Sequence, residues 1–302
     1  MTTAVTVIVN PTAGTGAAAG CLADVRQELA RCGIEADIVS SDNCEHATEL
    51  AREAATRTPL VAALGGDGMA RAVAEGVCGS QAALAVLPSG RGNDFAATLG
   101  IPRDPAGAVA VLAAGVTRKV DVIEAGERIC LGIASMGMDT DVHRHAEATR
   151  LARGRAVYAY GLLRTLGGWK PVPMRVCVDG VEHVFTGHSV AVANTPRYGG
   201  GMYIAPTARI DDGLLEVVMI GHVPGRPLWL QLATQVPALA QRKPLTHAGV
   251  RTARGREVVL DAGQRLEVFA DGDHIGHTPL TVRVVPEALT VLAPPPGPST
   301  QS

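Results

Sequence analysis

Gly65-Gly66-Asp67-Gly68 sets three glycines around one carboxylate, directly after the apolar run 60–64. Residues of these types can handle phosphate. Glycine lets a backbone approach a ligand, and amide N–H groups at a helix start face anions. Asp67 then stands where a carboxylate could hold Mg2+ or orient phosphates. The competing reading is a turn whose Asp caps the next helix. Pro88-Ser89-Gly90-Arg91-Gly92-Asn93-Asp94-Phe95 follows the next apolar run, and Arg91 could grip a phosphate with two N–H groups. Asn10-Pro11-Thr12-Ala13-Gly14-Thr15-Gly16 follows the β-branched run 5–9. It falls beside the dinucleotide fingerprint but has one residue too many before Gly20. Each loop alone is turn chemistry. Three on one sheet edge make a nucleotide cradle.

Two acidic turns lie later in the chain. Arg209-Ile210-Asp211-Asp212-Gly213-Leu214 offers carboxylates and carbonyls to a hard cation, or simply a hairpin turn. Asp271-Gly272-Asp273 carries carboxylates two residues apart, and Asp-Gly is equally a hairpin signal. The sequence contains no GxSxG, no HExxH and no Cys/His array. His143 and His145 flank Arg144 and read as solvated surface.

The elements that must position these loops alternate in type. Strand signals at 5–9, 36–39, 60–64 and 83–87 are separated by helical spacing at 20–32, 47–57 and 70–77, and a further helix follows at 105–114. That rhythm predicts an α/β nucleotide-binding domain over 1–120, a parallel sheet with helices on both faces. Ligands of such sheets sit beyond the carboxyl ends of the strands. From residue 121 to 293 short strands punctuated by Gly, Pro and Asp predict a mostly antiparallel β-sandwich. A helical insertion at about 143–166 interrupts it, the last strand is 289–292, and 294–302 is a Pro-rich disordered tail.

Composition narrows the function. The chain has 302 residues and a formal net charge of −2, with nine aromatic residues in all, too little charge or stacking surface for a nucleic-acid protein. Its 27 basic residues include only Lys119, Lys170 and Lys243, so no Walker-type lysine follows a glycine loop. Six cysteines that never form CxxC read as free thiols in a reducing compartment. No signal peptide and no membrane-spanning run is evident, and the expectation is a cytoplasmic protein.

Together these turns resemble the diacylglycerol kinase catalytic family, which includes bacterial lipid kinases and sphingosine kinases. Asn10-Pro11, Gly65-Gly66-Asp67-Gly68 and Pro88-x-Gly90-x-Gly92-Asn93-Asp94-Phe95-Ala96 carry the resemblance. Gly137-x-Asp139, Asn194, Tyr198-Gly199-Gly200-Gly201-Met202, Ala205-Pro206, Asp211-Asp212-Gly213-Leu214-Leu215 and Asp271-Gly272 extend it in order over residues 5–291. The resemblance implies an ATP site at Asn10, Ser41, Gly65, Gly66, Asp67, Gly68, Met69, Arg71, Gly90, Arg91 and Asn93. It implies a structural Mg2+ held by Asp212 and the carbonyls of Arg209 and Leu214. Asp273, helped by Asp271, takes the place of the catalytic acid. Three positions depart from the family pattern: Met69 and Arg91 each replace a Thr, and Asp273 is one methylene shorter than the usual Glu.

The resulting expectation is an ATP- and Mg2+-dependent kinase acting on a lipid hydroxyl, diacylglycerol or a related lipid. Between Arg144 and Lys170 the formal charge is +5, with apolar residues interleaved, which suits a helix lying on the inner face of a membrane. A helix packed on the sandwich with a basic outer side explains it as well. A homodimer is compatible with the sequence and not required by it. Two other readings remain open. An NAD kinase shares the GGDG loop but leaves Asp94-Phe95-Ala96 and the DDGLL turn unexplained. A non-catalytic nucleotide- or lipid-binding regulator is suggested by Met69, Arg91 and Asp273.

Overall fold

The computed structural model describes residues 4–11, 17–148, 160–162, 164–165, 168–227, 229–230, 241–245 and 248–295. Two compact units divide the chain, Met1–Val120 with Glu287–Ser302, and Asp121–Pro286.

In the first unit β1 (Ala4–Val9), α1 (Ala17–Arg31), β2 (Glu35–Ser40), α2 (Cys44–Ala55), β3 (Leu60–Gly65), α3 (Asp67–Val77), β4 (Ala83–Pro88), α4 (Asp94–Leu99) and α5 (Pro105–Ala114) follow in order. The strands are parallel in the order β4-β3-β1-β2. α1 packs with α5 and α2 with α3, so helix pairs cover the sheet. Strands covered on both faces need uninterrupted apolar runs. Val7, Ile8, Val9, Leu64 and Leu84 are accordingly fully buried. Local chemistry sets the helix ends. Asn43 Oδ1 accepts the His46 N–H at 2.8 Å, and Asp104 Oδ1 accepts that of Gly107 at 2.8 Å with Pro105 beside it. The strand order also fixes where a ligand belongs. β2 lies on one side of β1 and β3 on the other, so the topological switch point falls between β1 and β3.

The second unit is a β-sandwich built from the end of β5 (Thr117–Ala125), then β6 (Arg128–Cys130), β7 (Ile133–Gly137), α6 (Met138–Ala148), β8 (Val172–Val178), β9 (Val181–Ala193), β10 (Arg197–Tyr198), β11 (Met202–Tyr203), β12 (Leu215–Gly221), β13 (Val250–Gly255), β14 (Glu257–Asp261), β15 (Glu267–Ala270) and β16 (Asp273–His277). β9 organises it: its first half pairs with β8, and its second half lies between β7 and β12. Period-two alternation then serves two cores. Val190 and Val192 join Met136, Met174, Val217 and Leu260, while Ala191 and Ala193 join Ile133, Ile204 and Val218.

Three elements differ from expectation. The helix of the insertion begins at Met138, and 149–159 lie outside the described residues. The first half of β9 was not foreseen, because its sequence is polar and Val181 and Val184 are each 61% exposed. The last strand is longer and changes unit. β17 (Leu280–Leu292) pairs through residues 280–283 with β14, and through Val291, parallel, with Leu84 of β4. Residues 287–293 therefore complete the first unit. Alternation alone does not tell which sheet a strand joins. Of the Pro-rich tail, 296–302 lie outside the described residues.

Candidate active site

The first unit brings Asn10, Ser41, Gly65 to Gly68 and Gly90 to Asn93 to the carboxyl edge of its sheet. Asn10 is 9% exposed and its Nδ2 donates to the Asp42 carbonyl at 3.1 Å, tying the ends of β1 and β2 together. Ser41 is buried, and its N–H donates to the Val9 carbonyl at 2.8 Å. Gly14 and Gly16 of the first loop lie outside the described residues.

The glycines divide into two kinds. A Cβ on Gly65 would come 2.5 Å from Met69 Cβ, and one on Gly90 would come 2.3 Å from Gly66 Cα. Packing alone requires these. A Cβ on Gly68 would meet nothing within 4 Å. Glycine within a helix costs about 1 kcal/mol relative to alanine, so space at Gly68 suits a ligand that approaches the backbone. In the loop after β4, Ser89 donates its N–H to the Gly65 carbonyl at 2.8 Å, and its Oγ is shielded from solvent with no hydrogen-bond partner among the described residues. An unpaired hydroxyl and an open glycine fit a phosphate-bearing ligand.

Asp67 does cap a helix, though not the one it begins. Its Oδ1 accepts the Phe95 N–H at 3.1 Å, in the first turn of α4. Burial raises its pKa above the usual carboxylate range, opposed by the amides of Phe95, Asn93 and Asp94. Asn93, at φ 56, makes no cap bond to α4. Its side chain instead closes the loop on Gly90, accepting the Gly90 N–H at 2.9 Å and donating to the Gly90 carbonyl at 2.8 Å. Arg91 is exposed, as a phosphate-seeking residue must be. Arg71 is not so placed. It is buried and ion-paired with Glu75 at 3.2 Å, one turn along α3. Met69 is buried against Gly65. Sequence reasoning missed Arg103, whose Nη2 donates to the carbonyls of Gly90 and Arg91 at 3.3 and 3.1 Å. Nothing local marks a loop clamp twelve residues away.

In the second unit Asp271 and Gly272 form the two-residue turn between β15 and β16, at φ 48 and 92. Positive φ at both is the type I′ geometry of tight hairpins. The Asp271 carboxylate accepts three N–H groups, from Leu131 at 2.6 Å and from Gly132 and Ile133 at 2.9 and 3.1 Å. A Cβ on Gly132 would come 2.7 Å from Asp271 Oδ1, which explains that glycine. Asp271 is thus tied to the segment that opens β7 by three hydrogen bonds. It fixes the hairpin on which Asp273, partly exposed, opens β16.

The turn 209–214 holds its carboxylates in hydrogen bonds and ion pairs. Asp212 Oδ1 accepts the Leu214 N–H at 3.1 Å, and its Oδ2 is held by the Arg254 guanidinium. Arg209 reaches Asp211 at 3.5 Å, and buried Asp121 accepts the Gly213 N–H at 2.7 Å. A Mg2+ on Asp212 and the carbonyls of Arg209 and Leu214 would have to displace Arg254 from the carboxylate. Asp139 entered the sequence reading only as part of the Gly137-x-Asp139 motif, with no role, and His188 did not enter it. Asp139 is buried, accepts Ser189 Oγ–H at 2.6 Å, and is pushed up to about 6 by burial, with Ser189 opposing. His188 is buried and pushed down to about 4 by burial, then by His222, whose ring lies 5.5 Å away.

Of the basic segment, Leu162 and Trp169 pack against Met138 and Val142, and Arg144 pairs with Asp141 at 3.0 Å and with Glu267. Arg150, Arg153 and Arg155 lie outside the described residues. No described helix is long and apolar enough to cross a membrane.

Comparison with known proteins gives matches over both units. Residues 4–125 match the diacylglycerol kinase catalytic domain, and residues 132–293 match the YegS C-terminal NAD kinase beta sandwich-like domain. The chain is 31% identical over 298 residues to a protein named diacylglycerol kinase from Mycobacterium tuberculosis (strain ATCC 25618 / H37Rv), covering 96% of this chain and 95% of that one. It is 31% identical over 252 residues to a probable lipid kinase YegS-like from Chromohalobacter salexigens, covering 81% and 79% of the two. Its fold is that of a crystal structure described as a diacylglycerol kinase from Bacillus anthracis str. Sterne, with a TM-score of 0.73, 20% identity and 97% coverage of each chain.

Proposed function

The chain belongs to the diacylglycerol kinase catalytic family and is a lipid kinase, and from that premise we propose that it transfers the γ-phosphoryl group of ATP to the hydroxyl of diacylglycerol or a close relative. One observation supports the nucleotide side above the others. Asn10, Gly65 to Gly68 and Gly90 to Asn93 converge at the carboxyl edge beside the switch point between β1 and β3.

Phosphoryl transfer asks mainly for positioning and charge neutralisation. Without a P-loop lysine, the loop amides around Gly68, the Ser89 hydroxyl and the Arg91 guanidinium receive the triphosphate. Mg2+, when bound with ATP, supplies the remaining neutralisation, and Asp67 is the carboxylate that would hold it. Asp273 accepts the proton of the lipid hydroxyl. The hydroxyl oxygen bonds to the γ-phosphorus while the bond to the bridging oxygen breaks, so ADP and a phospholipid leave. Asp271 keeps Asp273 in place through the Leu131, Gly132 and Ile133 amides. The acceptor is met at a bilayer surface, which exposed Trp229 (60%) and Leu230 support. A second copy of the chain is not needed for the reaction as written.

Labelled ATP offered with diacylglycerol in mixed micelles, in parallel with a sphingoid base and with NAD, tests the reading. Wild type labels diacylglycerol, and Asp273→Ala does not. Label on NAD alone would overturn it in favour of an NAD kinase. ATP binding with no transfer to any acceptor would overturn it in favour of a nucleotide-binding regulator.

A further inference from the structure

We propose that Glu267, His274 and His277 form a binding site for a divalent transition metal of the Zn2+ type. The site begins as an anomaly in a hairpin. Residues 274 and 277 are separated by an odd number, and a regular strand would send them to opposite faces. β16 is not regular. Glu267 pairs with His277 and Val268 with Gly276, but Phe269 pairs with His274, leaving Ile275 as an extra residue. That bulge resets the alternation. Gly276, at φ 149, takes the backbone conformation it requires. Both imidazoles and the carboxylate then share one side, each offering a ligand atom within 4.8 Å of the others. The two rings meet edge to face with centroids 4.9 Å apart.

Two imidazoles and one carboxylate select the metal class. Mg2+ demands oxygen donors, so this is not a second home for the ion of ATP. Zn2+, Co2+ and Ni2+ accept imidazole nitrogen, and three protein ligands leave a position for water. Two cations now occupy the donors. Arg144 lies on Glu267, and Arg265 Nη2 lies 3.3 Å from His277 Nδ1. Exposed pairs of this kind contribute only about 0–1 kcal/mol, little against a metal–nitrogen bond. Arg144 also keeps Asp141 as a partner at 3.0 Å when it releases Glu267. A bound metal would join β15 to β16 across the hairpin that carries Asp273.

The test uses the full chain after chelation, titrated with Zn2+ by calorimetry and with Co2+ by visible spectroscopy. One ion per chain is expected, with a rise in the thermal midpoint and a four-coordinate Co2+ spectrum lacking thiolate absorption. His274→Ala and His277→Ala should each weaken binding by about tenfold or more. Arg144→Ala should tighten it, since it removes a competitor from Glu267 and no ligand. Excess Mg2+ should not displace Zn2+. Absence of stoichiometric binding overturns the proposal. So does binding that the two histidine substitutions leave unchanged while circular dichroism shows them folded. These readouts are independent of kinase activity.

Discussion

Gly66 and Gly90 stand backbone to backbone: a Cβ added to Gly90 would lie 2.3 Å from the Gly66 Cα, and one added to Gly66 would lie 3.2 Å from the Gly90 Cα. The loops after β3 and β4 are thereby held together with no side chain between them. A methyl group at Gly90 must push Gly66 or Asn93 Oδ1, which would be 2.9 Å away. Gly90→Ala should therefore destabilise by about 1–3 kcal/mol and lower ATP affinity together with activity. Gly68→Ala meets open space and should melt at or above the wild-type midpoint while binding ATP less well. Urea unfolding and nucleotide titration of the pair check this. Loss of stability in Gly68→Ala, equal to that in Gly90→Ala, would refute the distinction.

Asp67 has two duties that one substitution can separate. Asp67→Ala strands the Phe95 N–H and should cost about 1–2 kcal/mol. Asp67→Asn keeps an acceptor for that N–H and should fold normally, yet lose the charge. Its turnover should fall by about a hundredfold or more. Normal turnover in Asp67→Asn would reduce Asp67 to a helix cap.

Asp273 and Asp271 should fail in different ways. Asp273→Ala should lower kcat by about 100- to 10,000-fold with a smaller loss of stability than at Asp271, whereas Asp273→Glu should retain activity. Asp271→Asn tolerates the left-handed backbone but cannot receive three N–H groups with one oxygen. It should destabilise by about 1–3 kcal/mol as well as slow the reaction. Steady-state kinetics paired with thermal melts separate the two patterns.

Asp139 and His188 oppose each other across one pH range. The folded-state pKa of Asp139 is raised from 3.8 to about 6, so its protonated form is favoured and stability is lost as pH rises from 3.8 to about 6. That of His188 is lowered from 6.5 to about 4, so stability is lost as pH falls from 6.5 to about 4. Each effect amounts to about 3 kcal/mol, and they offset. Asp139→Asn should stabilise the protein at neutral pH and make it acid-labile. His188→Phe should instead make stability rise on acidification. Unfolding curves between pH 4 and 7 read both slopes, and identical slopes in the two variants would contradict the assignment.

Arg254 should govern the cation response of the Asp212 turn. With the guanidinium in place, chelation should leave the wild-type melting temperature unchanged. In Arg254→Ala the carboxylate is released, and added Mg2+ should raise the midpoint. Fluorescence-monitored melts with and without chelator decide it. A wild-type midpoint that falls on chelation would show that Mg2+ competes successfully with Arg254.

The alternating rhythm of the first unit was legible because strands covered on both faces cannot tolerate polar residues, and 60–64 shows this in five letters. The loops were legible because glycine marks close backbone approach. What a glycine approaches was not. Gly65 serves Met69 and Gly90 serves Gly66, whereas a Cβ on Gly68 would meet nothing within 4 Å. Arg71 entered the expected ATP site through the family resemblance alone, and its burial and pairing with Glu75 could not be read from the sequence. Arg103 and His188 were invisible, and Asp139 was seen only as a motif letter without a role, because their roles come from tertiary partners 12 to 50 residues away or from burial itself. The imidazoles of β16 were hidden by a bulge, which changes which face a residue takes without changing its type.

The return of β17 has a consequence for the order of synthesis. Val291 pairs with Leu84, the Ala293 N–H donates to the Val116 carbonyl, and Cys78 Sγ donates to the Ala288 carbonyl at 3.5 Å. The ribosome makes these late residues after the whole of 121–286. Until then the nascent first unit carries β4 as an unprotected edge, open to pairing with another chain. The unit synthesised first is thus the last to be closed, and a stop codon after 286 should yield an aggregating product rather than a smaller kinase.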